Sequence, residues 1–563
     1  MAIDTKDAAS IAAWDGAHVA ALMRQGRTEE AAAVIAAVLS EQPHYLPARI
    51  AQARLFLSDG NPGRALELSE HLHRAHPENI WVAALRFEAM LRTGDLAAAR
   101  DLFLDKVLPA FADRPELAQL AHHIVDAVSD RSQRVAFLEA ALEAQPKSVV
   151  LAGKLAAQYY TGGRRGEASA MIRLVESQGP LPAFLRPLKL YLAAAGGDHA
   201  NAIDQYEMAA KELPDSVEPV RRLVRVQAAA GRFDDAAREL VSAVDKWPRE
   251  WLLLYRYNRT FVPLAIDEQI FARLTGADPD AQTPLWQFQY AVAAIRLGRI
   301  DAAMPLLESL SQDTPVAPMA QSVLAALSNP AVLSGSGRVD RDRSVAVEVV
   351  RQPGATASIV LFSGTLGGQG YLPNDIADSV VGEVPANLVY LRDPYGLGYL
   401  RGVPALGADE TSSIDALAGV LKDLGPSRIV TTGGSIAGYA AVRWGLRLGA
   451  IATVSFAGPT TLSPLRDSGG ESASESLGLG LVELRSVAGG DGDLREAIRS
   501  APNHRLNVVI GEGYVPDQRR AERLNGLPNV SITILPGVDY HFTSMAAIGQ
   551  GSYARLLTEA VLG

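Results

Sequence analysis

In TTGGSIAGYAAVRWG, residues 431–445, one serine stands among small residues, directly after an apolar run and directly before a helical pattern. A hydroxyl on so sharp a turn is presented clear of its own backbone, and it becomes a nucleophile for acyl transfer when a base can take its proton. Gly433 and Ala437 stand two positions before and after Ser435, and Gly438 follows, so no bulky side chain crowds the turn. Cysteine is absent, which removes thiolate nucleophiles, thiolate metal sites and disulfides together.

The base has few candidates. After residue 344 the only histidines are His504 and His541. His504 precedes the apolar run LNVVIG and belongs at the amino end of a strand. His541 follows SITILPG in the loop VDYHFTS, at a carboxyl end, where Ser435 also lies. An acid is needed to orient the imidazole. Asp517 is taken first and Glu512 second, both in EGYVPDQRRAERL; Asp517 could equally cap the helix QRRAERL, and Asp539 beside His541 stays open.

Other chemistries find less. GTLGGQG, residues 364–370, does not have the GxGxxG spacing, and no GxxxxGK[ST] occurs, so no nucleotide cofactor is expected. His71, His73 and His76 in HLHRAH lack a completing carboxylate or thiolate and read as a solvated helix face, so no metal is expected. RRLVRV, residues 221–226, reads as a solvated basic face. With 53 Lys+Arg against 63 Asp+Glu the net charge is -10, which argues against nucleic acid or an anionic membrane as partner. No apolar run is long enough to span a bilayer, and the N-terminus carries acids where a signal peptide has a basic start. A soluble, cytoplasmic protein is the expectation, and 48% hydrophobic with 21% charged residues suits a globular one.

The elements that must position Ser435 and His541 come from short β-branched runs alternating with helical stretches: ASIVLFSG, ANLVYLRD, SRIVTTGG, AIATVSFAG, LNVVIGEG and NVSITILPG. That alternation predicts an α/β domain with a mostly parallel sheet over residues 345–563, whose ligands collect at the carboxyl ends of the strands. SNPAVLSGSGRVDRDRS, residues 328–344, reads as a linker before it.

The first half repeats instead. Gly26, Gly60 and Gly94, then Gly163, Gly197 and Gly231, are each 34 residues apart; Ala31, Ala65, Ala99, Ala168, Ala202 and Ala236 follow five residues later, and Gly298 with Ala303 adds a further unit. Prolines at 43, 77, 146, 180, 214 and 248 keep the same step. Each unit reads as two helices with a glycine turn, a small residue for close packing and a terminal proline. The pattern resembles tetratricopeptide repeats and predicts an all-α superhelix over residues 12–327, about nine units with degenerate ones near 128 and 265, after an N-terminal segment 1–11. The resemblance implies a concave surface for a protein or glycoprotein partner.

The serine turn resembles the GxSxG elbow of α/β-hydrolases, with Ala437 in place of the last glycine, and the order Ser435, acid, His541 matches that fold. The resemblance implies a backbone oxyanion site from Ile436 and from Gly364 or Thr365. Residues 386–460, from NLVYLRDPYGLGYLRG to GGSIAGYAAVRWG, are similar to hydrolase-like domains of bacterial capsule and exopolysaccharide biosynthesis proteins and of accessory Sec systems. This resemblance implies substrate contacts from Arg392, Asp393 and Tyr399, and a serine esterase or acyltransferase acting on an acylated sugar, small ester or glycoprotein. The alternative is a scaffold for polysaccharide assembly or protein secretion with a hydrolase fold that does not catalyse, which the short acid loop favours.

Overall fold

The 34-residue step is a step of helix pairs. The computed structural model describes residues 15–563 except 25–26, 115, 129, 163, 183–184, 196–197, 313, 335–336, 383, 463–483, 486 and 489–491. Within it Leu46–Ser58 pairs with Pro62–Ala75, Val149–Thr161 with Arg165–Glu176, and Pro284–Arg296 with Ile300–Leu310. The turn glycines Gly60, Gly94, Gly231 and Gly298 have φ of 73°, 87°, 81° and 71°, a left-handed conformation that a Cβ would penalise. Gly26, Gly163 and Gly197 lie outside the described residues. Where the glycine is missing, helix pairs are still present: Leu117–Ala127 with Arg131–Ala144, and Trp251–Asn258 followed by Leu264–Thr275.

The repeated alanines explain themselves by burial. Ala31, Ala65, Ala99, Ala168, Ala202, Ala236 and Ala303 are each 0% exposed, where a larger side chain would push neighbouring helices apart. Ala236→Leu is therefore expected to cost about 1–3 kcal/mol of stability. Arg238→Leu, on the exposed side of the same helix, should change it far less. Urea unfolding checks both, and equal effects would refute the packing role.

Contact density divides the chain into two compact units, Met1–Leu192 and Ala193–Gly563. The expected boundary at 328–344 falls inside the second unit. In the first, Phe87, Phe103 and Phe137 gather at ring separations of 4.8 to 6.2 Å in the repeat core.

The second unit joins the last helix pairs to a seven-stranded sheet. Two of its repeat helices matter below, α1 (Val217–Ala229) and α2 (Trp251–Asn258). The strands are β1 (Val347–Val350), β2 (Ala357–Phe362), β3 (Ala386–Leu391), β4 (Ile429–Gly434), β5 (Ala452–Phe456), β6 (Arg505–Gly511) and β7 (Val530–Leu535). Their order is β1-β3-β2-β4-β5-β6-β7, with β1 antiparallel and every other pairing parallel. ASIVLF, ANLVYL and ATVSF are buried along their whole length, as strands covered on both faces must be. The order doubles back around β2, so β4 lies at the centre, and the crossovers put its carboxyl end where ligands collect in such sheets. From there α3 (Ile436–Arg447) leaves, while α4 (Val515–Glu522) follows β6 and α5 (Thr543–Gly549) follows β7.

Arg338, Arg341 and Arg343 bind the two parts of this unit to each other. Arg343 donates to both carboxylate oxygens of Asp267 at 3.0 and 2.8 Å and to the Asn258 carbonyl at 2.9 Å. Arg296 reaches the same Asp267 at 3.1 Å. Arg338 pairs with Asp378 and Arg341 with Asp375. Among the described residues no helix is long and apolar enough to cross a membrane.

Candidate active site

The turn between β4 and α3 is as tight as its composition requires. Ser435 has φ 55° and ψ -127°, a strained conformation for a residue with a side chain, and its N–H donates to Phe456 O of β5 at 2.8 Å. A Cβ on Gly433 would lie 2.6 Å from the Ala437 carbonyl, and one on Gly438 2.7 Å from Ser455 Oγ. Ala437 is fully buried, so a methyl group is the largest side chain this turn holds comfortably at that position.

The side chains converge across three loops. His541 Nε2 stands 2.8 Å from Ser435 Oγ, and its Nδ1 stands 2.8 Å from Asp517 Oδ2. A carboxylate only accepts, so Nδ1 carries the proton and Nε2 is left as the acceptor for the serine hydroxyl. Asp517 lies in the first turn of α4 after Pro516 and is nearly inaccessible. It makes no capping bond; its other oxygen faces Arg520 at 3.4 Å, one helical turn on. Arg520 was not singled out from the sequence, although the spacing of three in DQRR is the signal for it.

The other candidates go elsewhere. Glu512 is exposed and accepts from the Gly537 N–H at 2.9 Å. Asp539 packs beside Gly513, with no hydrogen bond to His541. His504 is buried at the start of β6 between Thr453 Oγ1 and the Ala450 carbonyl, and burial lowers its pKa.

Among the backbone donors, the N–H groups of Ile436 and Thr365 bond no protein atom among the described residues. Gly364 is corrected: its N–H donates to the Gly368 carbonyl at 2.8 Å, which closes the glycine-rich turn and leaves nothing for an oxyanion.

Arg392, Asp393 and Tyr399 are also corrected, because their polar atoms are committed to the protein. Arg392 is 1% exposed and donates to Glu348 and the Val345 carbonyl, each at 2.6 Å, tying β1 to the end of β3. Asp393 accepts from the backbone N–H groups of Tyr395, Gly396, Leu397 and Tyr399. Tyr399 O–H lies 2.9 Å from the Ser363 carbonyl and 2.7 Å from that of Leu391. The three shape the loop after β3 and leave no polar atom for a substrate. That loop nonetheless borders the site, since a Cβ on Gly398 would lie 2.9 Å from Ile436 Cγ1.

Aromatic rings flank the histidine. Tyr514 and Phe542 lie 5.9 and 5.8 Å from its ring, and Tyr371 packs on Phe542 at 4.6 Å. A cavity of about 280 Å³ opens beside this loop, lined by Gln321, Ser322, Ala325, Val538 and Tyr540 among others.

Residues 56–124 match the family model of the tetratricopeptide repeat. No curated protein matches the chain. Among solved structures, the chain is similar to a hyperthermophilic esterase from the archaeon Pyrobaculum calidifontis, at 14% identity over 46% of this chain and 97% of that one, TM-score 0.29. It is also similar to a proline iminopeptidase from Mycobacterium smegmatis, at 16% identity over 38% of this chain and 95% of that one, TM-score 0.27. The tetratricopeptide-repeat domain of P58(IPK) matches at 17% identity over 57% of this chain and 98% of that one, TM-score 0.17. The chain combines helical repeats, of which residues 56–124 match the tetratricopeptide model, with a mostly parallel seven-stranded α/β sheet.

Proposed function

We propose that the protein is a serine esterase or acyltransferase acting on an acylated glycan or glycoprotein that its repeats recruit. The observation that carries the acyl-transfer reading is the relay of Asp517, His541 and Ser435, with 2.8 Å at both links, on a strained strand-to-helix turn. The glycan part of the reading rests on the likeness of residues 386–460 to polysaccharide-assembly proteins, and recruitment rests on what tetratricopeptide repeats generally do. The non-catalytic scaffold loses its main support, because the short acid loop still brings Asp517 to His541.

In this mechanism His541 Nε2 takes the Ser435 proton as Oγ bonds to the ester carbonyl carbon. The N–H groups of Ile436 and Thr365 receive the negative charge that develops on the carbonyl oxygen. Collapse breaks the ester C–O bond, and His541 returns the proton to the leaving alcohol. Water, or an acceptor hydroxyl, then attacks the acyl-enzyme with His541 as base, and Ser435 is regenerated. Asp517 accepts from Nδ1–H throughout and holds the imidazole in place.

A fluorophosphonate probe tests this directly. The intact protein is expected to form a stoichiometric adduct on Ser435, located by peptide mass spectrometry, and Ser435→Ala is expected to form none. A folded wild-type protein that takes up no probe would overturn the reading.

A further inference from the structure

The arginines of RRLVRV are not a solvated face. Arg221 is 6% exposed. It shares a face of α1 with Arg225, one turn on, and α1 packs against α2, which carries Arg256 and is followed by its C-cap residue Arg259. Glu218 answers part of this charge, bonding Arg221 at 2.6 Å and Arg222 at 2.7 Å. Arg259 stacks over the Tyr255 ring at 3.5 Å and donates to the Tyr255 carbonyl. Arg256 meets no carboxylate, and its Nε is buried without a hydrogen-bond partner among the described residues. Burial, with Arg225, Arg221 and Arg259 facing it, pushes its pKa well below the usual arginine range.

The group is linked to the loop that borders the serine site. Arg225 Nη1 donates to the Gly396 carbonyl at 3.1 Å, and two residues further along that loop Gly398 touches Ile436. Asp393 also feels Arg225, but four backbone N–H groups already occupy its carboxylate.

We infer that Arg256, with Arg221 and Arg259 beside it, binds an anionic group, a carboxylate or a phosphate, on the molecule whose ester bond meets Ser435; the inference rests on the acyl-transfer reading above. Leaving a buried guanidinium nitrogen unpaired is costly, and a chain of net charge -10 has no shortage of carboxylates to pair with it. A guanidinium fork fits a planar carboxylate or a phosphate in two-point fashion, so an anion would satisfy both the charge and the geometry. By this reading the preferred substrate is an acidic acyl ester, and neutral esters of the same reactivity are poorer.

Two matched pairs test the charge preference: 4-nitrophenyl hemisuccinate against 4-nitrophenyl butyrate, and 4-acetoxybenzoate against its methyl ester. The first places the charge on the acyl side and the second on the leaving group. In at least one pair, kcat/KM should favour the anionic member by about tenfold or more, the scale of one charge-assisted hydrogen bond. In Arg256→Met, and in Arg259→Met as an independent variant, that ratio should fall to within about twofold, the charge-assisted bond being gone. Equal rates within both wild-type pairs, or a preference that survives both replacements, would overturn the inference.

Calorimetry separates this result from the fate of the acyl-transfer reading. Benzoate and inorganic phosphate are titrated into Ser435→Ala protein with and without Arg256→Met. Saturable binding of either anion that needs Arg256, in a protein that cleaves no ester, keeps the arginine site and removes the hydrolase. Ester cleavage with no binding of either anion removes the arginine site and keeps the hydrolase. Whichever anion binds more tightly identifies the group.

Discussion

His541→Ala is expected to slow ester cleavage by about 10⁵ to 10⁶, and Asp517→Asn by about 10⁴, with 4-nitrophenyl acetate as substrate. The first change removes the base that lies 2.8 Å from Ser435 Oγ. The second acts through the tautomer. A carboxylate at 517 requires the proton on Nδ1 of His541; an amide can present N–H instead, which favours a proton on Nε2 and leaves no acceptor for the serine hydroxyl. Glu512→Gln is the control, because Glu512 accepts from the Gly537 N–H and has no bond to the histidine. It should change the rate less than about tenfold, in keeping with a surface position away from the chemistry. If Asp517→Asn and Glu512→Gln proved equally mild, Asp517 would not be the orienting acid, and the relay would have to be redrawn.

The second large effect concerns stability. Asp267→Ala should destabilise the unit Ala193–Gly563 by about 3–5 kcal/mol, much of the 5–15 kcal/mol that holds a typical domain. Asp267 is 0% exposed and lies between Arg296 and Arg343, whose side chains are 4% and 2% exposed, so its removal strands two buried cations. Burial alone would raise its pKa, but the two arginines outweigh that and hold it below the ordinary value. Its contribution is therefore complete above the unfolded carboxylate pKa of about 3.9 and is lost only as pH falls through the lower folded value. Replacing all three groups with apolar residues, Asp267→Leu with Arg296→Met and Arg343→Met, should recover most of the loss. Urea midpoints for the single and triple variants decide the matter; a loss under about 1 kcal/mol for Asp267→Ala would show that the buried network is not a keystone of the fold. The same network predicts that a chain starting at residue 331 folds poorly, whereas one starting at residue 198 keeps Arg343 and its partners together.

Much of the architecture was legible because it is written in local patterns. The alanines five residues after each turn glycine are legible because a helix packs most closely where its side chain is smallest, and all seven are fully buried. ASIVLF and ANLVYL read as interior strands because a strand covered on both faces needs no polar alternation. Ser435 and His541 were found for a related reason: a crowded turn demands small neighbours, and a parallel sheet presents its loops at one end.

The acid was not legible in the same way. Glu512 and Asp517 both follow β6, and only the path of the chain into α4 turns Asp517 towards His541 and Glu512 towards Gly537. Arg392, Asp393 and Tyr399 misled because a polar residue at a strand end has the same appearance whether it meets a substrate or holds a loop. Their bonds run to Glu348, to successive backbone amides and to the Ser363 carbonyl, partners that the sequence around them does not announce. Gly364 misled likewise, since its N–H is taken by the carbonyl of Gly368, four residues on.

By itself, then, the sequence determined the helical repeats, the mostly parallel sheet, and the serine and histidine set at its carboxyl edge, because periodicity, turn geometry and strand burial are decided by neighbours along the chain. Tertiary structure alone decided that Asp517 is the histidine's partner, that Arg343 closes on Asp267 from 76 residues away, and that α1 packs against α2. Those are pairings of charges and hydrogen bonds between distant segments, and which polar groups meet depends on packing in three dimensions.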